Sequence, residues 1–395
     1  HIYIVGDDSV EGCLPFVDLM TDDGSAFPKD IKINPVEDVA VLPYSSGTTG
    51  LPKGVMLTHH NLIASCEMGV SNELIKVSDS DAIIWVLPLF HLSGILGVLL
   101  ISMKLGITIV TLSKFEPKVY LGLAEKHKVT CLVIAPPIAV FLIKHPMVDE
   151  YNLSSVDNII CGAAPLGAGH VKSLQKRLNN DHLKVRQGYG MTETAGISTL
   201  CGMNDKCVAG SVGGVVAGCL AKVIDIATGK ILGIGRDGEL CFRGPQVMKG
   251  YLNNEAATKS TIIDGWIHTG DIGHYDAEGN FFIVDRFKEL IKFKAFQVAP
   301  AELEDILLTH PEIQDAAVIG VPDEYAGELP KAIIVSKTDT LTAEDVVRFI
   351  DGRVASYKQL RGGVEIVKEV PKSPSGKILR KLLRDRERQA SKKKY

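Results

Sequence analysis

The chain has 395 residues, 46% hydrophobic and 23% charged, and its 43 Lys and Arg against 47 Asp and Glu leave a net charge of −4. This composition excludes a disordered or collagen-like chain, and the near-neutral balance argues against nucleic acid as a partner. Eight cysteines with no C-x-x-C pair exclude a disulfide scaffold and offer no structural zinc motif, so reduced thiols are expected.

In chain order, the sequence opens at His1 rather than Met, and residues 1–5 already read as a strand, so the true start is expected to be missing. Over the first 200 residues, apolar runs at 38–44, 83–87, 107–112, 130–135 and 156–161 alternate with helical patterns at 61–72, 119–127 and 168–178. This alternation predicts an α/β domain with a largely parallel sheet covered on both faces. The stretch 82–103 contains no charged residue and has the length of a membrane span, but Pro88, His91, Gly94 and Gly97 interrupt it. The favoured reading is a buried strand, a polar-lined loop and a buried helix. From about 205 to 284 glycines cluster and strands shorten (221–225, 239–243, 279–284), predicting a small antiparallel or barrel-like section. After residue 285 a small α+β unit is predicted, with helices at 300–308 and 342–350, strands at 316–321 and 332–336, and a basic helix at 377–388. Thr342 followed by Asp345 three residues on is close to a capping box. The domain division expected is 1–284, including the barrel-like section, and 285–395.

The strongest chemical signal is Tyr44-Ser-Ser-Gly-Thr-Thr-Gly-Leu-Pro-Lys-Gly-Val55, read as following a strand and preceding a helical segment. Its hydroxyls, glycines and Lys53 supply the donors and the positive charge that a polyphosphate requires. It is not the G-x-x-x-x-G-K-[ST] phosphate loop, because Lys53 is followed by Gly54.

With this run, the sequence resembles the adenylate-forming superfamily of acyl-CoA synthetases, 4-coumarate:CoA ligases and firefly luciferases. Five further segments match in the family's order: Gly162-Ala-Ala-Pro165, Gln187-Gly-Tyr-Gly-Met-Thr-Glu-Thr194, Gly238-Glu-Leu-Cys-Phe-Arg-Gly244, Trp266-Ile-His-Thr-Gly-Asp271 and Asp285-Arg-Phe-Lys-Glu-Leu-Ile-Lys292. Pro371-Lys-Ser-Pro-Ser-Gly-Lys-Ile378 closes the set. The Glu239–Gly244 and Gln297–Glu302 runs look most like the 4-coumarate:CoA ligase and luciferase branch. The resemblance implies a large adenylation domain with stacked α/β sheets and a small mobile C-terminal domain, and the family's N-terminal segment is expected to be missing here. It implies an ATP-dependent acid–CoA ligase that forms an acyl-adenylate and then a thioester, with ATP, Mg²⁺, CoA and an aryl or fatty acid as reactants. Two alternatives stand beside it: a luciferase-like adenylating oxygenase, and a non-catalytic nucleotide-binding fragment.

Residue by residue, the resemblance assigns ATP and AMP to Ser45, Ser46, Gly47, Thr48, Thr49, Gly50, Lys53, Gln187, Gly188, Tyr189, Gly190, Thr192, Glu193, Asp271, Arg286 and Lys288. Within that set Tyr189 would stack on adenine, Glu193 would hold Mg²⁺, and Asp271, presented on a tight loop, would accept the ribose hydroxyls. Asp285-Arg286 resembles the family hinge. Lys377 would catalyse adenylation, Lys292 and Gln297 would serve the half-reactions, and His91 would act beside the phosphates. His91, Ser93, Gly162, Ala163 and Leu200 would line the acyl pocket, and Lys114, Lys294 and Ala295 would approach CoA. Plant 4-coumarate ligases carry Tyr where this chain has Ser93, which argues for aliphatic or bulkier apolar acids. Taken alone, His91 and Tyr189 read as core residues, Asp271 as an Asx turn and Lys377 as one more basic-helix lysine. Cys161 reads as a buried small residue rather than a nucleophile. The closing Lys-Lys-Lys-Tyr395 is not the Ser-Lys-Leu peroxisomal address, and an intracellular protein, cytoplasmic or peroxisomal, is expected.

Overall fold

The computed structural model describes residues 2–6, 10–21, 23–45, 52–71, 81–162, 168–203, 205, 207–294, 296–373 and 376–392. The chain divides into two compact units, His1–Asp38 and Val39–Tyr395. The first holds a two-residue parallel pairing of Tyr3–Ile4 with Leu14–Pro15 and one helical turn, Val17–Met20, with mostly exposed side chains.

The centre of the second unit is a seven-stranded sheet. Strands Thr108–Thr111, Ala82–Trp85, Cys131–Ile134, Asn158–Cys161 and Lys184–Tyr189 lie side by side and parallel, and Thr199–Leu200 and Gly214–Val215 extend it antiparallel. Side chains alternate across the sheet as the two-residue period requires. Ile84, Leu132 and Ile159 pack on one face with helices Pro117–Lys126 and Pro136–Lys144; Ile83, Cys131 and Ile160 pack on the other. Both faces are therefore covered, which is why these strands are continuously apolar.

The uncharged stretch resolves into strand Ala82–Trp85 and a π-helical segment, Gly94–Ser102, that continues into Met103–Leu105. No described helix is long and apolar enough to cross a membrane. The section expected to be antiparallel or barrel-like is an antiparallel sheet of Leu220–Ile224, Gly238–Arg243, Trp266–Tyr275, Ile262–Ile263 and Phe281–Arg286. One expectation is corrected: the Ser/Thr/Gly run leads not into a helix but into strand Lys53–Thr58, with helix His59–Ser71 following. Val55 and Leu57 are fully buried in that strand, and Ser45 pairs antiparallel with Lys53.

The C-terminal part is a small α+β layer. A long hairpin, Ile313–Asp323 with Gly327–Ser336, pairs with Ile291–Phe293 and Val364–Ile366, and helices Pro300–Leu308 and Ala343–Ile350 cover one core. Thr342 and Asp345 exchange hydrogen bonds as a complete capping box. The thiol expectation is also corrected. Cys201 and Cys207 form a disulfide, because the turn at Gly202–Asp205 brings their Cα atoms to 5.8 Å. Regular spacing was not needed; a single tight turn sufficed.

Arg380 opens the last helix, Arg380–Lys392, and is buried. Its Nη1 donates to Glu289 at 2.5 Å, and Nε and Nη2 make a two-point contact with Glu304 at 3.2 and 2.6 Å. The guanidinium thus ties the segment after residue 285, helix Pro300–Leu308 and the Lys377 loop into one body. Arg380→Leu strands two buried carboxylates and should cost about 3–5 kcal/mol in denaturant unfolding, with Arg380→Lys recovering part of it. An unchanged midpoint in Arg380→Leu would show that the network is not holding this part together.

Candidate active site

The site lies at the carboxyl ends of the parallel strands, where an α/β sheet leaves its ligand crevice. Strand Asn158–Cys161 is followed directly by Gly162, and strand Lys184–Tyr189 ends in Gln187, Gly188 and Tyr189. Strand Ala82–Trp85 runs into the loop that carries His91 and Ser93. Beyond Tyr189 the chain must fold back on itself: a Cβ on Gly190 would lie 2.2 Å from the Gly196 carbonyl oxygen, so this position requires glycine. The fold-back delivers the short 3₁₀ turn Thr192–Thr194.

Asp271 is presented by a bulge. Between paired positions, strand Gly238–Arg243 advances two residues, Glu239 to Cys241, while strand Trp266–Tyr275 advances four, Ile272 back to His268. The surplus residues arch out, with Gly270 at φ 71°, a conformation natural to glycine. The expected tight loop is therefore a bulge inside a long strand that stays paired on both sides. Glu239 fills the arch: its Oε1 accepts from the Gly270 amide at 3.0 Å and its Oε2 from His268 Nδ1 at 2.9 Å. Thr269 Oγ1 donates to the Leu240 carbonyl at 2.8 Å.

The Asp271 side chain is buried and shared. The Tyr189 hydroxyl donates to Oδ2 at 2.6 Å, and Arg286, its cross-strand partner, lies 3.3 Å from Oδ1. Burial raises the Asp271 carboxyl above its ordinary range, against the pull of Arg286 and Tyr189. One face of the Tyr189 ring stacks on Phe242, with centroids 5.8 Å apart. Lys377 comes to the same place from the C-terminal part; its neighbour Gly376 packs near Ala135, at the end of strand Cys131–Ile134. Burial, then the charge of Arg286, pushes the Lys377 ammonium down to about 8. Burial, then the charge of Lys377, also lowers His91. His91 Nδ1 faces Ser93 Oγ at 2.8 Å and accepts from the Ser93 amide, which leaves the ring proton on Nε2.

A second cluster lies where Ser45 pairs with Lys53. Glu193 is buried and accepts from the Tyr251 hydroxyl at 2.8 Å, and Lys53 Nζ sits 4.1 Å from the centre of the Tyr251 ring. Ser45 Oγ is buried with no partner among the described residues. A carboxylate, an ammonium and a free hydroxyl in one place suit a metal-bound polyphosphate.

The sequence matches the AMP-binding enzyme model over residues 4–252 and the AMP-binding enzyme C-terminal domain model over residues 302–377. The chain belongs to the AMP-binding enzyme family. It is 47% identical to 4-coumarate–CoA ligase 1 of Solanum tuberosum, across 96% of this chain and 70% of that protein. It is 46% identical to 4-coumarate-CoA ligase 1 of Narcissus pseudonarcissus, across 97% and 71%. Among solved structures, ATP-bound MatB from Rhodopseudomonas palustris superposes with a TM-score of 0.81 at 32% identity, covering 89% of this chain and 69% of that one. O-succinylbenzoate coenzyme A synthetase (MenE) from Bacillus subtilis, in complex with AMP, gives 0.80 at 29%, covering 95% and 74%.

Within this family frame, the structure brings together Lys377, Asp271, Arg286, Tyr189 and His91, and separately Ser45, Lys53 and Glu193. Leu200 is buried on strand Thr199–Leu200 against Gly188, and Gly162 directly follows strand Asn158–Cys161. Cys161 is buried and its thiol is pushed up to about 12, which suits a packing role. Lys292 and Gln297 face each other on the hairpin of Ile291–Phe293 and Phe296–Val298, and both are exposed. Lys294 is exposed at its tip, and the hairpin packs through Phe296 on Tyr357, within the C-terminal part. Lys114 is exposed and paired with Glu116, and Lys288 is exposed. Ser46, Gly47, Thr48, Thr49, Gly50, Ala163 and Ala295 lie outside the described residues. Sequence reasoning missed Glu239, His268 and Tyr251. Glu239 and His268 stood inside quoted motifs, but only the strand register shows that they face each other.

Glu239 should act on nucleotide binding without touching the nucleotide. Glu239→Ala removes the acceptor for Gly270 N–H and should weaken AMP binding about tenfold, the effect of ~1.4 kcal/mol, by calorimetry. Glu239→Gln, which keeps an acceptor, should lose less. Equal AMP affinity in wild type and Glu239→Ala would mean the bulge holds itself.

Proposed function

We propose that this chain is an AMP-forming acid–CoA ligase that couples an apolar carboxylic acid to CoA through an acyl-adenylate. Kinship with 4-coumarate–CoA ligases supports the ligase class, and the observation that carries the mechanism is the half-buried Lys377, close enough to Arg286 and Asp271 to feel their charges. The acid's carboxylate attacks the α-phosphorus of ATP and pyrophosphate leaves. Lys377, while protonated, offsets charge that builds on the transferring phosphoryl group. Asp271 accepts the ribose hydroxyls and Arg286 steadies that carboxylate. Tyr189 keeps one ring face for the base while Phe242 backs the other. Lys53 and Ser45 take the β and γ phosphates, and Glu193 would hold Mg²⁺. When bound, that ion neutralises phosphate charge.

For the second step we propose that the C-terminal part turns about Asp285–Arg286. The turn withdraws Lys377 and brings the exposed Lys292–Gln297 hairpin to the acyl-adenylate, with Lys114 and Lys294 near CoA. The thiol attacks the acyl carbon and AMP leaves. Gly162, Leu200 and Ser93 would line the acyl pocket with small and apolar groups.

The test separates the half-reactions. Lys377→Ala should slow pyrophosphate release by roughly 10²–10³ and spare thioester formation from supplied acyl-AMP. Equal losses in both steps would sink the division of labour. The pH profile gives a second reading, because Lys377 works only when protonated and sits near 8. The kcat/KM of adenylation should be flat below that pH and fall above it. Lys377→Arg should lose activity but also lose the alkaline limb, since a guanidinium stays charged. Substrate choice is read from pyrophosphate release across aryl, medium-chain and long-chain acids. Ser93→Tyr should shift kcat/KM toward 4-coumarate, and a wild type that already prefers 4-coumarate would refute the role given to Ser93.

A further inference from the structure

We propose that Glu239, Cys241 and His268 form a binding site for a soft divalent transition cation of the Zn²⁺ type, and that its occupancy weakens nucleotide binding. Three potential ligand atoms, one from each residue, lie within 4.8 Å of one another. Cys241 and His268 are direct cross-strand partners, and Glu239, two residues before Cys241, falls on the same face. Both strands are interior to the five-stranded sheet, so the ligands stand on fixed backbone.

The nitrogen–sulfur distance already suits such an ion, and the carboxylate comes close. Tetrahedral zinc with Zn–N of about 2.0–2.1 Å and Zn–S of about 2.3 Å sets nitrogen and sulfur about 3.6 Å apart. The His268 Nδ1 to Cys241 Sγ separation is 3.7 Å. Nitrogen and carboxylate oxygen need about 3.4 Å around the same ion. Glu239 Oε2 is 2.9 Å from His268 Nδ1, so the carboxylate must open by about half an ångström. The thiol is buried, while the His268 and Glu239 side chains are 19% and 17% exposed, which leaves an approach and room for water as fourth ligand.

The chemistry selects the metal class. A thiol with an imidazole favours Zn²⁺, Co²⁺ or Cu over Mg²⁺. Burial holds the Cys241 thiol protonated, up to about 12, and the cation displaces that proton to solvent. In the metal-free chain His268 Nδ1 donates its proton in a hydrogen bond to Glu239, so on binding the cation that proton shifts to Nε2 and Nδ1 offers its lone pair. Lys222, cross-strand from Cys241, sits with Nζ 4.5 Å from the centre of the Trp266 ring, and its charge opposes a cation and keeps the affinity moderate.

Coupling to nucleotide follows from Glu239. The carboxylate that must open is the one that holds Gly270 N–H, and Gly270 precedes Asp271. Metal and nucleotide therefore compete for the geometry of one side chain. This coupling rests on the nucleotide-binding reading above; the metal site does not.

The test uses the full chain without substrate. Titration with Co²⁺ in excess Mg²⁺ should give thiolate-to-metal charge-transfer absorption, and equilibrium dialysis should give one Zn²⁺ per chain. Both should vanish in Cys241→Ser and in His268→Gln, and persist in a Cys201→Ser, Cys207→Ser double variant. Zn²⁺ should then weaken AMP binding several-fold in wild type and leave Cys241→Ser unaffected. Absence of the absorption in wild type overturns the site, whatever the variants do. Zn²⁺ that stays bound in folded Cys241→Ser does the same. A metal bound at these residues with AMP affinity unchanged overturns the coupling alone.

Discussion

One buried carboxylate, Asp271, fixes where everything else stands. It meets the Tyr189 hydroxyl from the parallel sheet and the Arg286 guanidinium from the neighbouring antiparallel strand. A carboxylate removed from water is costly unless its oxygens find donors, so these two strands are held to it. The price is an arch in strand Trp266–Tyr275, and Glu239 is the residue that makes the arch tolerable by satisfying the Gly270 amide. Replacing the phenol or the guanidinium would leave Asp271 short of partners, so the node and the bulge stand or fall together.

The coarse fold was legible because short, continuously apolar runs and helical patterns alternate along the first 200 residues. Helix Pro300–Leu308 begins at Pro300 as its sequence requires, and Thr342 with Asp345 announced the start of the next. Strand Lys53–Thr58 was not legible, because its glycine and polar ends mask a core of only three apolar residues, Val55, Met56 and Leu57. Helix Pro136–Lys144 was also unread: two leading prolines look like a loop until one sees them at the first turn, where they do no harm.

The candidate site was legible at the level of motifs and not at the level of partners. Each segment showed which chemistry it could bring, but not that Glu193 leans on Tyr251 or that Asp271 is bonded to Tyr189. These contacts join residues 58 and 82 positions apart, and only the sheet order brings them together. The Cys201–Cys207 disulfide hid for a local reason, since it depends on the Gly202–Asp205 turn rather than on spacing.

For the two proposed half-reactions, the packing of the C-terminal part favours a rotation over a loop rearrangement. Arg380, three residues after Lys377, is locked by two-point contact to Glu304 and by a further contact to Glu289. The Lys292–Gln297 hairpin is held in the same layer, through the Lys292 amide on Glu328 and Phe296 on Tyr357. Freeing the Lys377 loop alone would strand the buried Arg380–Glu304–Glu289 charges, at a cost of about 3–5 kcal/mol. Turning the whole layer breaks none of these contacts. The segment that must change is Asp285–Arg286, where Asp285 accepts from the Arg286 and Ala301 amides. Burial raises that carboxyl while Arg380 pulls it down, so Asp285 joins the rigid layer to the strand that carries Asp271's partner. A rotation there would carry Lys377 away with the layer while Arg286, paired across the strands with Asp271, keeps that buried carboxylate satisfied.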